Sequence, residues 1–237
     1  MKYAIVTLAV GDKYFTPIFK HFKQVSSRLA GDFYITTDKE QPNVGNVNIN
    51  TLYLDNYSGN EKYQPFYFNL KSLAFKPTLD KEYDFVIYLD SDWTITDKLT
   101  DDVLKSAFEF MEKSNIDMLF ERPAQIGGAR ANPESSFFKN KLDAYHALEH
   151  TRWDNAHVMN EQFFMIKNSW KLRYFQNRWE QFLWYSIYNN IWNYAEGFEA
   201  GISALESEMK LNYISVCGLF PNCFHFKDKF DKPYTRF

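Results

Sequence analysis

An α/β fold with a mostly parallel central sheet and helices on both faces is what this sequence predicts, and three observations predict it. Short apolar runs such as "YAIVTL" and "FVIYL" alternate along the chain with longer stretches of helical periodicity. Those runs lack the polar alternation of a strand with one wet face, so they suit strands covered on both sides. The 237 residues are 45% hydrophobic and 24% charged, enough for one ample core, and no repeat, low-complexity block or linker divides them.

Taken in order, "KYAIVTLAVG" predicts a first strand closed by Gly11, and "FTPIFKHFKQVSSRLAG" a helix with Pro17 near its start and Gly31 past its end. "DFYITTD" and "VNINTLYL" predict the next strands. "YQPFYFNLKSLAFKPTL" puts Phe68, Lys71, Ser72 and Phe75 at helical spacing and is stopped by Pro77, before the central strand "DFVIYLD". "TDDVLKSAFEFMEKS" predicts a short surface helix capped by Thr100, with Val103, Leu104, Ala107, Phe108 and Met111 on one side. "IDMLFE" and "EQFFMIKNS" predict strands on either side of "RPAQIGGARANPESS", a Gly, Pro and Ser-rich stretch expected as a mobile loop over an open groove. "WKLRYFQNRWEQFLWYSIYNNIW" predicts a long helix with Leu172, Phe175, Trp179, Phe182, Leu183, Ile187 and Ile191 on its apolar stripe.

Composition narrows the function. A net charge of −3 without a basic run gives no support to a nucleic-acid partner. The aromatic share of 19% exceeds what a core needs, so some rings are expected to line a groove for a flat ligand such as a sugar or base. Cys217 and Cys223 are too few for a disulfide framework or a four-ligand zinc site and are expected as free thiols in a reducing cytoplasm. The apolar run "YAIVTLAV" is too short for a signal-peptide core or a membrane span, so a soluble cytoplasmic protein is expected.

The most informative stretch is "YDFVIYLDSDWTI", an apolar strand that runs straight into Asp90 and Asp92 with only Ser91 between them. Ligands of an open α/β sheet gather at the carboxyl ends of its strands, and two carboxylates there can hold a hard divalent cation that in turn holds a diphosphate. Asp-Ser-Asp is also favourable turn chemistry. Charges at the end of a buried strand are costly unless paired or metal-bound, which favours the metal.

This arrangement resembles a GT-A fold glycosyltransferase, in which an apolar strand ending in a DxD motif binds Mn²⁺ or Mg²⁺ and the diphosphate of a nucleotide sugar. Two further stretches are similar to the retaining glycosyltransferases of family 8, the group of glycogenin and bacterial lipopolysaccharide galactosyltransferases. They are "AIVTLAVGDKYF" at the start and "HFKDKFDKPY" near the end, the latter one residue longer than that group's H-F-x-G-x-x-K-P-W signature, without its Gly and with Tyr for Trp. The resemblance implies a nucleotide-binding part over about 1–100 and an acceptor and catalytic part over about 101–237. It implies Asp90, Asp92 and His225 as metal ligands, Lys232 on the diphosphate, and Thr7, Ala9, Tyr14, Lys71 and Ser91 against the donor. "FEAGISAL" is similar to the group's G-D-Q-G-L-L-N segment and implies Glu199 beside the reacting sugar carbon, with Glu196 a rival. The implied activity is transfer of a hexose from UDP-glucose or UDP-galactose to a saccharide or other hydroxyl acceptor, with retention.

Two other classes stay open at this point. A metal-dependent nucleotidyltransferase also joins a parallel sheet to paired Asp residues, but it needs a Gly-rich phosphate loop where "VTLAVGDK" has one Gly. A non-catalytic carbohydrate-binding protein accounts for the aromatic surplus without using the acidic pair.

Overall fold

All six residues of β1, Tyr3–Leu8, are buried, as an unbroken apolar strand requires. In this computed structural model, residues 1–53, 61–121, 159–188, 197–214 and 216–226 are described. Besides β1, the strands are β2 (Asp32–Thr37), β3 (Val47–Thr51), β4 (Phe85–Leu89), β5 (Trp93–Ile95), β6 (Met118–Glu121), β7 (Asn160–Lys167), β8 (Leu211–Ile214) and β9 (Phe224–Phe226). Among the described residues, seven of them form one sheet in the order β3-β2-β1-β4-β7-β6-β8, and β5 and β9 form a small second sheet. β1 runs parallel to β2 and β4, β2 to β3, and β6 to β8, whereas β7 is antiparallel to both its neighbours. The fold is therefore α/β with a mostly parallel sheet.

Alternate strand residues face opposite layers. Ile5, Ile87, Leu89 and Phe163 pack with α1 (Asp12–Val25) and α2 (Asp101–Lys113). Val6, Tyr88 and Phe164 pack on the other side with the helical segment Glu61–Thr78, α3 (Trp170–Tyr188) and α4 (Gly197–Glu206). A single turn, α5 (Val216–Leu219), precedes β9. Helices cover both faces, and much of the aromatic surplus is core: Phe75, Phe164, Phe175 and Trp179 form one ring cluster with centroids 5.4 to 6.5 Å apart.

The local chemistry explains most boundaries. Thr100 caps α2 by accepting from the Val103 N–H at 3.3 Å, and Asp101 and Asp102 complement the positive helix start. On α3 the predicted stripe is buried at Leu172, Phe175, Trp179 and Phe182; the Leu183 and Ile187 side chains and Ile191 lie outside the described residues. The helix after β1 departs from expectation, because it starts at Asp12 and so places Pro17 in its second turn. Gly11, at φ 81°, makes the turn, and its N–H is held by Asp38 Oδ1 at 2.8 Å from the end of β2, which fixes the earlier start. Pro17 is tolerated because it lies on the solvent side, where water can meet the carbonyl its ring leaves unmatched.

Gly31 has a different reason to be glycine. A Cβ there would lie 2.1 Å from the Tyr3 ring, which stacks on Phe85 and whose hydroxyl donates to Asp101 at 2.5 Å. Gly31→Ala must displace a buried ring fixed at both ends, so it is expected to destabilise by roughly 2–3 kcal/mol. Urea unfolding measures this, and a midpoint equal to the parent's would contradict it.

Candidate functional site

The strand order sets the position of the site. From β1 the chain steps outward through β2 and β3, then returns to the other side of β1 as β4, so the order reverses between β1 and β4. In an open α/β sheet a reversal of this kind lies where a crevice forms outside the carboxyl ends of the strands. Asp90, Ser91 and Asp92 follow β4 directly into that crevice, all half-buried. Asp90 donates its N–H to the Gln162 carbonyl at 3.0 Å, and its carbonyl accepts from the Trp93 N–H at 3.0 Å, closing a turn over the acidic pair.

The two carboxylates have different surroundings. Asp90 Oδ2 lies 3.3 Å from Lys71 Nζ, and Asp90 Oδ1 accepts from the Tyr88 hydroxyl at 2.9 Å. Asp92 Oδ1 is buried and has no hydrogen-bond partner among the described residues. Burial, and next the negative charge of Asp90, push the Asp92 carboxyl up to about 7 from its usual 3.8, with Lys71 opposing. One carboxylate is thus held and compensated while the other is short of positive partners. Turn chemistry alone gives no reason for a buried carboxylate oxygen without a donor. An oxygen-rich pair of this kind suits a hard divalent cation.

Lys71, expected on a helix surface if it had no role, is 9% exposed within a stretch buried continuously from Leu70 to Phe75. The segment kinks at Leu70, where φ is −83° and ψ is 16°. Burying a lysine is costly without an anion nearby, and Asp90 supplies one. Tyr14 is half-buried in the first turn of α1, just past the end of β1. Thr7 and Ala9 are 0% and 1% exposed, and the Thr7 hydroxyl has no hydrogen-bond partner among the described residues. With both side chains buried, backbone is what this strand end offers to the crevice.

Glu199 is also buried, at 4% exposure, in the first turn of α4 rather than on a solvated face. The start of α4 is tied to the start of β7 by the Met159 N–H on the Gly197 carbonyl at 2.9 Å, which places Glu199 at the same end of the sheet as Asp90. His225 is exposed at the centre of β9, opposite Thr94 on β5. Among the described residues no three His, Cys, Asp or Glu side chains gather to hold a metal, so His225 is near the outgoing strand of the acidic pair without joining it in one cluster. Lys232, Glu196 and the loop around Gly127 and Gly128 lie outside the described residues.

The chain matches no protein-family model and no curated protein. No helix among the described residues is long and apolar enough to cross a membrane. Cys223 is a free, buried thiol whose titration is pushed up by burial.

Sequence reasoning missed Tyr88. Inside "FVIYL" it reads as one more apolar strand residue, yet it stands two positions before Asp90. Strand alternation therefore puts both side chains on one face. That spacing was the available signal.

Proposed function

We propose that this chain is a metal-dependent glycosyltransferase that moves a hexose from a nucleotide sugar, UDP-glucose or UDP-galactose, to a saccharide or other hydroxyl acceptor. The observation that carries this reading is the Asp90–Ser91–Asp92 turn at the reversal of strand order, with Lys71 on Asp90 and a buried, unpartnered oxygen on Asp92. Asp90 and Asp92 would hold Mn²⁺ or Mg²⁺, and His225 is the candidate third ligand. When bound, such an ion supplies positive charge against the diphosphate as it departs.

The chain's own groups divide the remaining work. Lys71, whose ammonium is already at Asp90, and Lys232 carry positive charge toward the leaving diphosphate, which removes the need for a protonated acid on that side. Glu199 supports positive charge developing on the sugar carbon, and its burial strengthens that support by keeping water away. The resemblance on which retention rests assigns Glu199 the place closest to that carbon. A cytoplasmic location belongs to the same reading.

Incubation with Mn²⁺ and a panel of nucleotide sugars tests it, and slow hydrolysis of a UDP-sugar is the expected result. Release of pyrophosphate from a nucleoside triphosphate would instead indicate a nucleotidyltransferase, and neither reaction would leave a binding protein. UDP affinity by calorimetry is expected to fall at least about tenfold when EDTA replaces Mn²⁺, since two carboxylates repel an unescorted anion. Equal affinity in both conditions would remove the metal.

A further inference from the structure

We propose that Lys71 is an internal counter-cation that makes tight binding of a divalent ion conditional on a diphosphate, an inference that rests on the metal and nucleotide reading above. Lys71 Nζ stands 3.3 Å from Asp90 Oδ2. Its charge reaches Asp92 as well, where it opposes the effects of burial and of Asp90. Neither group can step aside by moving its backbone. Lys71 follows the kink at Leu70, and Leu70, Ser72, Leu73, Ala74 and Phe75 around it are all at most 3% exposed. Asp90 is held by its N–H on the Gln162 carbonyl at 3.0 Å and by the Tyr88 hydroxyl on Oδ1 at 2.9 Å. What remains free to pivot is the ammonium tip of Lys71, on its flexible stem.

The consequence is electrostatic. A divalent ion arriving alone meets two carboxylates, but also an ammonium already beside one of them, and charges this close in a partly buried site interact strongly. The free protein thus neutralises part of the pair with its own lysine. Among the described residues it also gathers no third His, Cys, Asp or Glu side chain to hold the ion. A diphosphate changes both conditions. Its oxygens complete the coordination of a hard ion, and its negative charge gives the Lys71 tip a second anion, so the ammonium no longer competes at Asp90. Ion and diphosphate then raise each other's affinity by one and the same factor, as linkage requires. Lys71 is what makes that factor large.

The test is Lys71→Met, which keeps the length of the side chain and removes its charge. Mn²⁺ alone is titrated at pH 8, with the free ion counted by electron paramagnetic resonance, and UDP affinity is measured by calorimetry in Mn²⁺ and in EDTA. Mn²⁺ alone should bind Lys71→Met roughly tenfold more tightly than the parent. The ratio of UDP affinities in Mn²⁺ and in EDTA should fall by a similar factor, because the two sites are linked. Lys71→Gln, polar and uncharged, should reproduce the gain, and Lys71→Arg, which keeps the charge, should hold Mn²⁺ at the parent's weak affinity. A gain in the Arg variant equal to that in Met would assign the effect to packing and overturn the proposal. Equal affinity for Mn²⁺ alone in the parent and both uncharged variants overturns it too, even where UDP binding to the parent depends on Mn²⁺ and the metal reading stands. If the parent binds UDP equally in Mn²⁺ and in EDTA, the metal reading has failed and the coupling with it.

Discussion

Asp92→Asn is expected to abolish metal-dependent UDP binding, lower turnover by on the order of a hundredfold or more, and melt at a higher temperature than the parent at pH 8. The gain follows from linkage. In the fold, Asp92 holds its proton up to about pH 7, whereas in the unfolded chain it loses it near 3.8. Its contribution to stability is fully present below about pH 4 and is lost as pH rises to about 7, because over that window the folded state binds the proton that the unfolded state has released. Asparagine has nearly the same shape and no charge to bury. After a discount for the carboxylate's partial solvent contact, the relief at pH 8 is on the order of 2 kcal/mol, or about 5 °C for a chain of this length. The difference should shrink as the pH is lowered toward 4. A variant that melts lower than the parent at pH 8 would mean that the Asp92 charge is compensated by a partner.

A pair of truncations gives the second large effect. Removing residues 224–237 takes away β9, whose Phe224 lies 5.5 Å from Phe163, 5.5 Å from Phe220 and 6.2 Å from Trp93 between ring centroids. Phe224 is 5% exposed, and losing such a ring costs roughly 3–5 kcal/mol before the broken ladder to β5 is counted. That truncation is expected to lower the melting temperature by about 10 °C or more. The apolar side of "FHF" is thus structural, and tail function has to be tested by a cut placed after it. Removing only residues 227–237 is expected to leave the melt intact and, on the proposed reading, to abolish UDP binding with Mn²⁺, since Lys232 goes with it. Undiminished binding in this shorter truncation would dismiss Lys232 as a diphosphate contact.

The parallel half of the sheet and its acidic terminus were legible because their signals are local. An apolar run without alternation, broken by two carboxylates, can be read within "FVIYLDSD", and helical spacing in "NLKSLAFKP" sets Lys71 on a turn that packs against the same strand. What stayed hidden depends on partners distant in sequence. β5 and β9 are three residues each and take their order from pairing Thr94 with His225, so neither carries a periodicity of its own. The reversal of β7 was equally silent, since a strand buried on both faces has the same pattern in either direction. The early start of α1 came from Asp38 reaching Gly11 across from β2. The burial of Thr7 follows from the α1 layer that covers that side of β1, and a threonine is compatible with either outcome.

The reversed strand also bears on how such a protein could diversify. β6 reaches its carboxyl end at Glu121, and β7, running the opposite way, begins at Asn160 beside it, with Leu89 paired to Phe163. The chain therefore leaves and re-enters the sheet at the edge that bears Asp90, and residues 122–158 are tethered there at both ends. Had β7 been parallel, the same connection would have had to cross to the far edge of the sheet. The pairings of β1 with β2 and β4, and of β2 with β3, are made by residues outside this connection. On the proposed reading, a chimera carrying a foreign 122–158 segment should keep its parent's nucleotide preference.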